Sequence, residues 1–192
     1  MLYWLQNPTS MQIDPKYFNR FLVIVASVAV LLIIFFTFNN QMSDKSNFKK
    51  RIFAQDSLQN VYWYDAEDDD SLRVSDFKGK YVVLDFWANW SDESLEYHKK
   101  LASIKNESSQ RLEVIAAAVG LRRKQVISYM NKHSFPFHFV AGSRHFSNFG
   151  VPGLPAQLIY NPDGRLQSVF LGFPSKSQFD SLRTLVSHEN AQ

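Results

Sequence analysis

The chain has 192 residues, no cysteine and a formal net charge of +3. Thiol-disulfide exchange needs a thiolate, so no residue here performs it. Residues 1–55 hold six Lys/Arg against two Asp, whereas residues 56–192 hold fifteen Lys/Arg against sixteen Asp/Glu, so the positive excess lies outside the C-terminal part. A nucleic-acid footprint needs a basic patch on the folded part; the one run there, Arg122-Arg123-Lys124, reads as a solvated helix start, and no nucleic-acid partner is expected.

Residues 1–20 are read as an N-terminal tail. Residues 21–38, FLVIVASVAVLLIIFFTF, carry no charge, and a helix needs about 17–25 apolar residues to cross a bilayer. A cleaved signal peptide usually has a shorter apolar region, roughly 7–15 residues, and a small-x-small cleavage pattern. None follows here, so an uncleaved transmembrane helix in contact with lipid is expected. Residues 39–58 are polar and charged with little periodicity and read as a linker or stalk. Two Lys/Arg precede the span and four follow it, a count that by itself favours a cytoplasmic domain.

The folded domain is expected over residues 59–190. Asn60-Val61-Tyr62-Trp63-Tyr64-Asp65 predicts a short aromatic strand before an acidic turn. A glycine turn at Gly79 leads into residues 81–88, whose apolar continuity suits a central strand covered on both faces. Residues 91–106 predict a helix with Leu95, Leu101 and Ile104 inward. A second buried strand follows over 112–119, then a helix over 122–133 and an aromatic edge strand over 135–140. A short helix near 143–149 precedes Gly150-Val151-Pro152-Gly153-Leu154-Pro155. Strands at 156–160 and 166–171 flank the turn Asn161-Pro162-Asp163-Gly164, and a helix over 176–186 closes the domain. This order predicts an α/β fold, a mixed sheet flanked by helices.

Four segments carry a resemblance: DFKGKYVVLDFWANWSDES, VIAAAVGLRRKQVISYM, GVPGLP and AQLIYNPDGRL. Together, in this order, they resemble the membrane-anchored thioredoxin-like family of the TlpA/ResA type over about residues 59–188. The resemblance implies a bacterial, single-pass protein with its domain in the periplasm, and we follow it over the Lys/Arg count. It also implies a W-C-x-x-C site, a cis proline at Pro155, and a buried acid at Asp85 beneath the resolving cysteine. Here the site reads Trp90-Ser91-Asp92-Glu93-Ser94, with serine at both cysteine positions: a degenerate redox site. Ser91 suits a helix N-cap, and Asp92 and Glu93 fall in the first turn, where carboxylates are stabilised.

With no thiol to serve, a buried Asp85 carries a cost unless it is hydrogen-bonded, and Ser94 or a buried water is the expected partner. Ser94 and His98 lie four apart on one helix, but no G-x-S-x-G elbow is present and His98, in the polar SLEYHKK stretch, reads as a solvated histidine. Nucleophilic serine catalysis is therefore not expected. His133, His138 and His145 lack recognised metal spacing, and neither a metal nor another cofactor is expected. Tyr62, Trp63, Tyr64, Phe135, Phe137 and Leu154 are the expected partner-binding residues, because alternation along two strands leaves some aromatic surface outside. The leading functional expectation is a redox-inactive, membrane-anchored module that binds or stabilises a protein partner. The alternative is a thiol-disulfide-related enzyme or chaperone-like factor whose substrates supply their own thiols.

Overall fold

The computed structural model describes residues 15–55, 58–67 and 70–187. The chain divides into two units, residues 1–43 and 44–192. Helix α1, Pro15–Ala54, contributes to both. Its apolar window is fully exposed and is long and apolar enough to cross a membrane. The tail expected over residues 1–20 lies mostly outside the described residues; helix begins at Pro15.

In the second unit, a five-stranded sheet has the order β5-β4-β3-β6-β7. The strands are β3 (Tyr81–Trp87), β4 (Leu112–Ala118), β5 (His138–Ala141), β6 (Ala156–Tyr160) and β7 (Leu166–Leu171). β3 pairs in parallel with β4, and β4 with β5, while β6 is antiparallel to both β3 and β7. Every residue of β3, β4 and β6 is buried, as continuous apolar runs covered on both faces require. β1 (Trp63–Tyr64) and β2 (Ser71–Leu72) form a separate two-stranded ribbon. It is shorter than the strand expected from residue 60, because residues 58–60 form a 3-10 turn. Ala66 N–H donates to Phe139 O, which ties the ribbon to the β5 edge.

The period of two along the strands makes two cores. On one face Val83, Trp87, Val114, Ala116 and Ile159 pack under α2 (Asp92–Glu107), α3 (Arg123–His133) and α5 (Lys176–Ser187). On the other, Val82, Leu84, Phe86, Ile115 and Leu158 pack with Trp63, Val74, Phe48 and Ile52, beside α4 (Ser143–Asn148). Phe48 and Ile52 stand four apart in α1, so one helical face carries both inward. Of residues 39–58, expected as a linker or stalk, those to Ala54 are helix, and the compact unit starts at Asp44. Burying two such side chains contributes up to about 1.5–3 kcal/mol each.

Candidate functional site

Ser91 leaves the C-terminal end of β3 with extended backbone and caps α2: Ser94 N–H donates to its Oγ at 3.3 Å. Asp92 and Glu93 follow in the first turn. The hydroxyl in the first expected cysteine position thus satisfies a backbone N–H that a helix start leaves unpaired. Trp90, just before it, is 71% exposed. Ser94 is buried, and its Oγ makes no hydrogen bond among the described residues.

The peptide bond between Leu154 and Pro155 is cis. Phe86 pairs with Ala156, which sets Pro155 beside Trp87 at the end of β3, near the start of α2. Pro155 O accepts from Gly172 N–H at 2.9 Å. Pro155 is buried, Leu154 is half-buried and Gly153 is exposed. Ser91, at the exit from β3, and the cis-proline loop thus lie at the same end of the sheet.

Beneath them lies a polar chain that sequence reasoning missed. Asp85 is fully buried and faces Gln157 across the antiparallel β3–β6 pair. Gln157 Nε2 donates to Asp85 Oδ1 at 3.0 Å, and His98 Nε2 lies 2.8 Å from Asp85 Oδ2. His98 Nδ1 lies 2.8 Å from the Tyr129 hydroxyl. With Asp85 as a carboxylate, which accepts only, the chain is satisfied by Nε2–H donating to Asp85 and the Tyr129 O–H donating to Nδ1. Burial, with the Asp85 carboxylate in addition, holds the Tyr97 and Tyr129 hydroxyls well above their ordinary value of 10.0. Trp87, Phe135, Phe137 and Phe139 surround the imidazole, with ring centroids 5.0 to 6.1 Å away.

Two expectations are corrected here. Asp85 pairs with His98 and Gln157, not with Ser94, and His98 is buried and not solvated. The physical reason is helical register: Ser94, Tyr97, His98, Leu101 and Lys105 share the inward face of α2. The arrangement is not a nucleophilic triad, because both His98 nitrogens are occupied, by Asp85 and Tyr129, and neither meets a serine hydroxyl.

The expected partner-binding residues divide. Tyr62 and Tyr64 are 54% and 60% exposed, with Arg73 stacked over Tyr62 at 5.0 Å. Trp63 is withdrawn, since alternation along β1 turns it into the core against Phe86. Phe137 is withdrawn as well: it is buried against His98. Phe135 is half-buried over the same ring.

At the opposite end of the parallel strands, Glu113 accepts from Lys80 Nζ at 2.6 Å and from Lys105 Nζ at 2.7 Å. His138 Nε2 lies 3.3 Å from the same carboxylate. Burial alone would raise Glu113, but the hydrogen bonds from Lys105 and Lys80 outweigh it and hold the carboxyl below its usual range.

Comparison with known proteins agrees with this geometry. The family model described as thioredoxin-like matches residues 79–166. The chain is 28% identical over 118 residues to the thiol-disulfide oxidoreductase ResA of Bacillus subtilis, a match covering 60% of this chain and 66% of ResA. It is 22% identical over 111 residues to the thioredoxin-like protein YneN of the same organism, covering 56% and 65%. The chain thus spans just under two thirds of the length of these relatives. Among solved structures, MTB dsbF, in mixed oxidized and reduced forms, superposes with a TM-score of 0.56 at 23% identity, over 67% of this chain and 93% of that one. The thioredoxin domain of a thiol-disulfide oxidoreductase from Bacteroides vulgatus gives 0.57 at 17% identity, over 66% and 92%. The fold is thioredoxin-like, and the chain carries no cysteine.

Proposed function

We propose that this thioredoxin-like protein, which has ResA-type thiol-disulfide oxidoreductases among its homologues and no cysteine of its own, works as a redox-inactive, membrane-anchored binding module. Its partner is a protein that docks as an extended segment at the edge formed by Trp90, Ser91 and the loop Gly153-Leu154-Pro155. One observation carries this reading: the Ser91 hydroxyl is used as a helix cap while Trp90 beside it stays 71% exposed. Neither serine is set up for chemistry, and an exposed tryptophan is the kind of anchor that interfaces use. The apolar stretch of α1 holds the module in the membrane, and we place residues 44–192 in the periplasm by likeness to the ResA type.

A photoreactive amino acid at position 90 or 154, in the full-length protein in its native membrane, tests the docking edge. Crosslinks to one protein from both positions, and none from Lys124 on the exposed side of α3, are expected. Silence at 90 and 154 would overturn the reading. Insulin disulfide reduction with dithiothreitol as the reductant tests the redox half: a rate above that of dithiothreitol alone would overturn redox inactivity. Protease added to intact spheroplasts should cleave the domain, and protection until lysis would reverse the orientation.

A further inference from the structure

The last turns of α1 do more than complete the second core. Phe48 and Ile52 fix one helical face against the sheet, and Arg51 lies between them in sequence with its side chain outside the core. Its Nη2 donates to Phe149 O at 2.7 Å and reaches Gly150 O at 3.4 Å. The Phe48 ring lies under the guanidinium, 5.7 Å from centroid to Cζ. Phe149 and Gly150 follow the last residue of α4, where a helix end leaves carbonyls without intrahelical donors and a cation is favoured. Gly150 has a φ of +57°, and a Cβ there would lie 3.1 Å from Arg51 Nη2, so glycine suits both the turn and the close approach.

From Gly150 the chain needs only five residues to reach Pro155. Val151 is tied to Phe146 O through its N–H, and Pro155 to Gly172 through its carbonyl. With both ends held, little slack remains between the Arg51 contact and the half-buried Leu154. A crevice of about 360 Å³ beside the contact, lined by Arg51, Ile52, Ser147 and Phe149, leaves the guanidinium open to solvent.

We propose that Arg51 is a positioning residue for the docking edge: by holding the carbonyls of Phe149 and Gly150 it sets the shape of the 150–155 loop, and so makes docking depend on the helical arm that continues the membrane anchor. The partner half of this statement rests on the reading above; the loop half is measured separately. A purely structural contact would change the stability of the whole unit when lost. A positioning contact changes the loop and leaves the central strands alone.

Hydrogen exchange on the full-length protein in detergent separates these. Arg51→Ala should speed exchange of the Gly150 and Val151 amides, which donate to Ser147 O and Phe146 O, about tenfold, with β3 and β4 unchanged. Arg51→Lys keeps the charge and one donor nitrogen on a shorter, more flexible stem, and should recover part of the protection. Gly150→Ala crowds the guanidinium and should loosen the same amides. Ile52→Ala is the contrast, raising exchange throughout the second core. In the membrane, Arg51→Ala should weaken the crosslink from position 154 at equal protein abundance. Unchanged loop exchange in Arg51→Ala, or an equal rise in β3 and β4, would overturn the positioning role. A loosened loop in a protein that gives no wild-type crosslink at 90 or 154 upholds the clamp and overturns the docking reading.

Discussion

Asp85 and Glu113 are acids on neighbouring central strands, and the fold satisfies them in opposite ways. Asp85 sits toward the end of β3 nearest the degenerate site, in a shell of aromatic rings, with one hydrogen bond each from His98 and Gln157. Glu113 sits near the start of β4, at the edge of the core, gripped by two lysine ammonium groups and approached by His138. The interior acid depends on fixed rings and a single donor order. The edge acid depends on flexible side chains that water reaches, since Lys80 and His138 are well exposed. A network of the first kind concentrates its stability in one residue, and a network of the second kind spreads it and ties it to pH.

The hardest way to break the comparison is His98→Leu. It keeps much of the volume but leaves the Asp85 carboxylate and the Tyr129 hydroxyl each short of a partner inside the aromatic shell. We expect a loss of about 2–3 kcal/mol in urea denaturation, the upper part of the range for a buried polar group left without its partner. A loss under about 1 kcal/mol would mean that Asp85 finds another donor. Asp85→Asn is the companion. Gln157 Oε1 is unpartnered among the described residues, so its amide can turn over and accept from the new amide while His98 keeps its bond. That change should cost no more than about 1 kcal/mol.

Glu113→Gln should cost about 1–3 kcal/mol, because it leaves the largely buried Lys105 ammonium without its carboxylate. Its signature is the pH dependence. The folded carboxyl lies below its ordinary value of 4.5, so its contribution is full above that value and is lost as pH falls through the folded one. The wild-type urea midpoint should therefore drop on acidification below about pH 4.5, and the Glu113→Gln midpoint should drop less over the same interval. Parallel curves would show that the lysines add nothing to the folded state.

Much of the fold was legible, because long apolar strands, glycine turns and the hairpin are local signals. β3, β4, β6 and β7 fall within a residue of their expected bounds. The serine pair and the cap at Ser91 were legible from a short motif, and the cis bond at Pro155 followed from the family resemblance. What escaped was decided by register between distant elements. His98 looked solvated because its neighbours in sequence are charged, yet stepping back three and four residues from Leu101 puts both His98 and Tyr97 inward. The Phe48–Ile52 pair was hidden in the same way, among Lys49, Lys50 and Arg51. Trp63 could not be sorted from Tyr62 and Tyr64 until strand pairing fixed which side of the ribbon faced the sheet, and Phe137 lies just before β5, which starts at His138 and not at the expected residue 135.

Ser91→Ala should cost about 0.5–2 kcal/mol as a lost N-cap, and an unchanged midpoint would reopen a functional role for that hydroxyl. Ser94→Ala sharpens the comparison most, although its effect should be the smallest. Ser94 lies one turn before His98 on the same buried face of α2, close in the helix to the Asp85 network, yet its Oγ joins neither His98 nor Asp85. A buried hydroxyl without a partner bears a desolvation cost that a methyl group does not. Removing it should leave the urea midpoint unchanged or slightly raised, within about 0.5 kcal/mol. A clear loss would place Ser94 inside the polar network and extend that network to the second expected cysteine position. The interior acid would then be wired to the degenerate site itself, and Ser94→Ala combined with His98→Leu would cost less than the sum of the two changes. Simple additivity of the pair would keep the network and the serine site as separate features of one helix.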